Sequence, residues 1–72
     1  MSPDASKYNP SPEYLRELIA QTGMTQSDVA RCIGIGGRSI RRHLADVNAA
    51  TYSPAPYVVQ FAIESLAAAK IS

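Results

Sequence analysis

The chain has 72 residues, which is enough for one small domain with a marginal hydrophobic core. It has no apolar run of about 20 residues and no basic start followed by an apolar run, so we expect neither a membrane segment nor a signal peptide. The single cysteine, Cys32, excludes an internal disulfide framework and predicts a reducing cytoplasm. The net charge of +1 does not by itself indicate a nucleic-acid partner.

The first part of the chain predicts an arm followed by a helix. Residues 1–11 are rich in Ser, Pro, Asp and Asn and have no apolar period, so we expect a flexible N-terminal arm. Ser11 is a good N-cap residue, and Pro12 suits the first helical position. Gly23 is placed to end this helix. Its inward face is predicted to carry Leu15, Leu18, Ile19 and Thr22.

Two short helices are predicted next, joined by a glycine turn. Thr25 is the expected N-cap of the first, which runs to residue 33, and Asp28 would complete a variant of the capping box. The second spans about residues 37–45, with Ile40 and Leu44 facing inward.

These two helices have the residue pattern of a helix-turn-helix. The motif needs a small residue in its first helix, supplied by Ala30, and a glycine with positive φ at the turn, supplied by Gly34. Its buried positions are occupied by Val29, Ile33, Ile35 and Ile40. The alternative is a generic helical hairpin, which does not require this whole pattern in register.

The rest of the chain predicts a loop and one more helix. Residues 46–53 form a polar connection, and the last helix begins near residues 54–56 and runs to about residue 70. No segment alternates with period two, so no strand is expected. The predicted fold is all-α, a small bundle of four to five helices. Residues 12–53 would form the DNA-binding core and residues 54–72 a helix for core packing and dimerisation.

The second helix of the motif carries an unbalanced positive charge. Arg38, Arg41 and Arg42 have no acidic residue between positions 29 and 45. Arg38 is our first choice for reading a base, and Arg42 for holding a phosphate. The alternative is a solvated helix face. The residues predicted to contact DNA are Gln26, Ser27, Gly37, Arg38, Ser39, Arg41 and Arg42.

The last helix is apolar around more than one face. One face should cover the core, and the surplus face predicts a two-fold dimer contact. The alternative is that the whole helix serves the internal core. The predicted interface residues are Val58, Val59, Phe61, Ala62 and Leu66.

Other residues whose side chains could bind a metal or take part in catalysis are assigned structural roles. We interpret Cys32 as a small packing residue and His43 as a partly buried core histidine. With one His and one Cys we expect no metal site, no cofactor, no small-molecule ligand and no catalytic site. The glycines of residues 34–37 follow no strand and precede no Gly-Lys-Ser/Thr, so they do not indicate a nucleotide site.

The motif segment resembles the helix-turn-helix of Cro-type repressors. The blocks PDAS, PSPEYLRELI, GMTQSDVA, GRSIRRHL and YSPAPYVVQFAIESLA together resemble the anti-CRISPR-associated (Aca) repressors of phages and mobile elements. The resemblance implies a homodimer in the bacterial cytoplasm that binds inverted repeats of an anti-CRISPR operon promoter and silences that operon, itself included. Ser27 and Asp28 stand where relatives can carry arginines, so phosphate contacts there do not carry over. An alternative function is a protein-interaction module, such as an antitoxin or an inhibitor of a phage-defence complex.

Overall fold

The computed structural model describes residues 4–71, and its side chains are described through residue 69. A short 3-10 helix over Ala5–Lys7 precedes four α-helices. These are α1 (Pro12–Thr22), α2 (Gln26–Ile33), α3 (Gly37–Leu44) and α4 (Tyr57–Ile71). No strand occurs in residues 4–71, so the predicted all-α bundle is confirmed. Residues 1–3 of the predicted arm and residue 72 of the last segment lie outside the described residues.

The helix ends follow the local sequence signals. Gly23 and Gly34 end α1 and α2 with φ of 71° and 81°, the left-handed region that favours glycine. Thr25 caps α2, since its hydroxyl oxygen accepts a hydrogen bond of 3.1 Å from the backbone N–H of Asp28. The expected capping-box variant is absent, because the carboxylate of Asp28 accepts a 2.6 Å bond from Arg31.

The core lies where α4 packs against α1, with α3 packed against α1, α2 against α4, and α2 and α3 against each other. All predicted inward residues of α1 are buried, as are Ile40 and Leu44 of α3. Ile33 and Ile35 are partly buried against the same cluster. The buried apolar side chains are Leu15, Leu18, Ile19, Val29, Ala30, Ile40, Leu44, Ala55, Val59, Ile63 and Ala67.

The described residues of the predicted arm, 4–11, make hydrogen bonds to α4 and to the segment just before it. The buried side chain of Gln60 makes the central contacts. Its Oε1 accepts a 2.7 Å bond from the N–H of Asn9, and its Nε2 donates to the carbonyl of Lys7 at 3.0 Å. The Tyr8 hydroxyl donates to the carbonyl of Ala55 at 2.5 Å. These bonds join the backbone of Lys7 and Asn9 to α4 and give the buried amide of Gln60 its partners.

Two further side chains join helices that are distant in sequence. The hydroxyl of Tyr14 on α1 donates to the carboxylate of Glu64 on α4. Arg16 on α1 donates to the carbonyl of Leu44 at 2.5 Å, at the carbonyl end of α3, where a cation is favoured. These bonds fix α1 against both α3 and α4. No helix within residues 4–71 combines the length and apolar character needed to cross a membrane.

Candidate nucleic-acid interface

The turn between α2 and α3 positions the candidate site. After Gly34, the N–H of Ile35 donates back to the carbonyl of Ala30 at 3.0 Å, which closes the end of α2. Val29 and Ala30 of α2 belong to the same buried cluster as Ile40 of α3. The inner faces of both helices are therefore fixed in the core, and the polar face of α3 is left toward solvent.

The three arginines of α3 are exposed and converge on one concavity. Arg38, Arg41 and Arg42 line a cavity of about 430 Å³, together with Thr51 from the loop that follows α3. The ion pair found among the described residues joins Asp28 and Arg31 on α2, and no carboxylate of residues 4–69 pairs with the arginines of α3. The concavity therefore concentrates positive charge that the described part of the protein does not neutralise.

Two glycines at the start of α3 are not required by the fold. Gly36 and Gly37 have negative φ, and a Cβ at residue 36 would meet nothing within 4 Å. A Cβ at residue 37 would lie 3.8 Å from Nη1 of Arg41, which is ordinary van der Waals contact. Because glycine weakens a helix, its presence here without a steric reason fits a surface that a partner's backbone approaches closely.

The remaining predicted DNA-contacting residues do not line the concavity. Gln26 and Ser27 are exposed in the first turn of α2, and Ser39 is exposed on α3. Gly37 is half-buried at the first position of α3. The structure thus brings the three arginines together and leaves the α2 residues as a separate exposed edge.

The loop after α3 contributes a residue that sequence reasoning missed. Asp46 forms a turn, in which its side-chain Oδ1 accepts a 2.8 Å bond from the N–H of Asn48. The loop then returns to α3, where Ser53 N–H donates to the carbonyl of Arg42 at 3.2 Å. The composition of residues 46–53 predicts a turn, but not that the turn brings Thr51 beside the arginines.

His43 fastens the same loop to α3. It is half-buried, as predicted, and its Nδ1 lies 2.8 Å from the carbonyl oxygen of Ser53. A carbonyl only accepts, so Nδ1 carries the proton of this bond. His43 therefore has a positioning role for the loop. Cys32 is exposed, so its predicted packing role is wrong: it lies outside the inward stripe of α2.

The predicted dimer residues of α4 divide between two environments. Val58 is 73% exposed, whereas Val59 is only 7% exposed and belongs to the core of its own chain. Val59 is therefore wrongly assigned to an interface, because its side chain is buried within its own chain. Phe61, Ala62 and Leu66 are partly exposed. They and Val58 leave an apolar strip along the outer side of α4, which we call the α4 outer face.

A search for metal-binding groups and comparisons with known proteins give no further information about this interface. Among the described residues, no group of three His, Cys, Asp or Glu side chains is placed to hold a metal ion. No protein-family model matches the chain, and no curated protein matches it.

Proposed function

We propose that the chain is a sequence-specific DNA-binding transcriptional repressor. The observation that carries the proposal is the exposed, unneutralised cluster of Arg38, Arg41 and Arg42 on α3, held beside α2 by a tight glycine turn. A helix presented in this way can enter the major groove, where arginine offers two parallel donors to guanine. Phosphate contacts from the other arginines would supply most of the affinity.

A single unit of this size reads few bases, which favours a homodimer on inverted repeats. The α4 outer face is apolar, with Val58 exposed and its other residues partly exposed, and an apolar surface patch is typical of an interface. Two-fold pairing through it would place the two α3 helices about 34 Å apart, one turn of DNA. The proposed operator is therefore palindromic.

The regulated genes are proposed from sequence resemblance to the anti-CRISPR-associated repressors. The protein would occupy the promoter of an anti-CRISPR operon that includes its own gene, and would act in the bacterial cytoplasm. Repression would follow from occlusion of the promoter, controlled by protein concentration without a cofactor or inducer. The arginines of α3 are exposed, and they would make the DNA contact that this scheme needs.

A mobility-shift titration with the DNA upstream of its own gene tests the proposal. The duplex should be retained at much lower protein concentration than a shuffled duplex of the same composition. Raising the salt concentration should weaken both complexes steeply, because several phosphates are neutralised. If neither duplex is retained at low salt, the DNA-binding function is rejected and a protein-interaction module becomes the better hypothesis.

The dependence on the arginines has a matched control in the chain. Arg31→Ala removes the same charge from α2, where the side chain is paired with Asp28. This variant should bind the duplex like the wild type, whereas Arg38→Ala should not. Equal losses for both variants would indicate that net charge alone, and not the α3 surface, determines binding.

A further inference from the structure

We propose that the concavity between α3 and the following loop binds one phosphate group of the DNA backbone, with Thr51 as its contact from the loop. This inference rests on the proposed DNA-binding function and adds a residue outside the helix-turn-helix. We call the cavity lined by Arg38, Arg41, Arg42 and Thr51 the phosphate seat.

The chemistry of the phosphate seat selects an anion. The residues that line it are three arginines and one threonine, with no acidic residue among them. Guanidinium groups bind phosphate oxygens in a planar, two-pronged geometry, and a hydroxyl donates one further bond. The side chain of Thr51 is exposed and makes no hydrogen bond within the described residues, so its donor is free for a ligand.

The loop holds Thr51 in place before any ligand arrives. The two residues after Thr51 are both held by backbone hydrogen bonds. The N–H of Tyr52 donates to the carbonyl of Ala49 at 3.1 Å, and the N–H of Ser53 donates to the carbonyl of Arg42 at 3.2 Å. The second of these bonds ends on one of the arginines of the seat itself. His43 fixes the carbonyl of Ser53 from the other side at 2.8 Å. A group positioned in advance loses little conformational entropy on binding.

A phosphate held between α3 and the loop would fix how deeply and at what angle α3 enters the groove. Phosphate contacts position a protein on DNA without reading sequence. Within the seat, Arg42 and Thr51 would hold the phosphate, and Arg38 in the first turn of α3 would extend past it to a base. Thr51 should therefore contribute to affinity for operator and shuffled DNA alike, whereas Arg38 should contribute to the difference between them.

Three variants of the loop test this role by fluorescence anisotropy with the two duplexes. Thr51→Val replaces the hydroxyl with a methyl group and should lower affinity for both duplexes about tenfold per subunit, the scale of one hydrogen bond to a charged group, and so about a hundredfold for a bound dimer. Thr51→Ser keeps the hydroxyl and should bind within about twofold of wild type on the same scale. Ala50→Val, at an exposed neighbour that does not line the seat, is the matched control and should bind normally.

The outcomes separate this inference from the function on which it rests. If wild-type protein binds the operator and Thr51→Val binds equally well, the phosphate seat is rejected while DNA binding stands. If wild-type protein binds no duplex, the assignment to a DNA phosphate and the proposed function are both rejected. In that case, a titration with inorganic phosphate that follows the amide NMR shifts of Thr51 and Arg42 shows whether the cavity is instead a site for the free anion.

Discussion

At the residue scale, the buried side chain of Gln60 uses both its amide oxygen and its amide nitrogen in hydrogen bonds. It is fully buried, yet its amide oxygen accepts from Asn9 and its amide nitrogen donates to Lys7 and, at 3.2 Å, to Glu64. One side chain thereby fastens the arm, α4 and the Tyr14–Glu64 pair together. Since buried polar groups are costly only when they lack partners, this glutamine stabilises the fold through its neighbours.

Replacing Gln60 by methionine should keep the volume and remove the hydrogen bonds. The N–H of Asn9 and the carbonyl of Lys7 would lose their partners, so we expect the free energy of unfolding to fall by about 1–3 kcal/mol. Urea denaturation measures the change. Gln21→Met, at an exposed position of α1, is the control and should have little effect. Equal stability of Gln60→Met and wild type would show that the arm does not depend on this side chain.

Truncation of Arg38 and truncation of Arg42 should have different effects on DNA binding. Arg38→Ala should abolish the preference for operator over shuffled DNA, because base contacts carry sequence information. Arg42→Ala should weaken both complexes similarly and reduce the slope of log affinity against log salt by about 2, because each of the two subunits of the dimer loses one phosphate contact. Mobility shifts across a salt series measure both effects. A wild-type preference in Arg38→Ala would contradict the assignment of base reading to this residue.

At the scale of the elements, the glycines on the two sides of the turn before α3 should differ in their effect on stability. Gly34 has φ of 81°, which a residue with a side chain adopts only with strain, although the space around it is open. Gly34→Ala should therefore destabilise the protein by about 1–2 kcal/mol. Gly37→Ala should instead stabilise it by about 0.4–1 kcal/mol, since helical φ suits alanine and the unfolded chain loses entropy. Thermal unfolding compares the two.

The Gly37→Ala variant also separates stability from DNA binding. If the backbone of α3 approaches DNA at this residue, the added methyl should lower operator affinity even as it raises the melting temperature. A variant that is both more stable and equally tight in binding would show that the glycine has no role in contact with DNA.

The contact between α1 and α4 should make stability fall at alkaline pH. The hydrogen bond to Glu64, together with burial, raises the pKa of Tyr14 from 10.0 to about 12. Between these pH values the unfolded chain loses the tyrosine proton while the folded chain retains it, so the free energy of unfolding decreases as pH rises. The stability advantage of wild type over Tyr14→Phe should be constant below pH 10 and shrink above it, as measured by urea denaturation. A constant advantage up to pH 11 would exclude this linkage.

At the scale of the whole molecule, the α4 outer face should decide oligomeric state. Val58→Glu places a charge on an exposed residue, so the chain should stay folded while the dimer dissociates, as seen by light scattering and circular dichroism. Operator affinity should fall strongly, because two half-sites are then bound by unlinked units. Ala20→Glu, exposed on α1, is the control and should remain dimeric. A dimer that persists in Val58→Glu would place the interface elsewhere.

Much of the fold was readable from local sequence. Periodic apolar residues such as Leu15 and Ile40 identified the inward faces, and glycines with a left-handed role identified the ends of α1 and α2. These signals are local, because a helix period and a cap depend on neighbours within a few residues. The arginines of α3 were recognised for the same reason, as a short run without acidic neighbours.

Only the tertiary structure decided which segments that are distant in the chain contact one another. Composition described residues 4–11 as an arm and residues 46–53 as a polar loop, but Gln60 hydrogen-bonds to the first and His43 fastens the second. Val58 and Val59 are identical side chains on adjacent positions, and only the packing of α4 shows which one faces solvent. Sequence thus determined which helices form and which one carries the charge. The tertiary fold determined that these arginines and Thr51 line one cavity. This could not be predicted from the sequence, because contacts formed by the folding of the chain leave no local pattern.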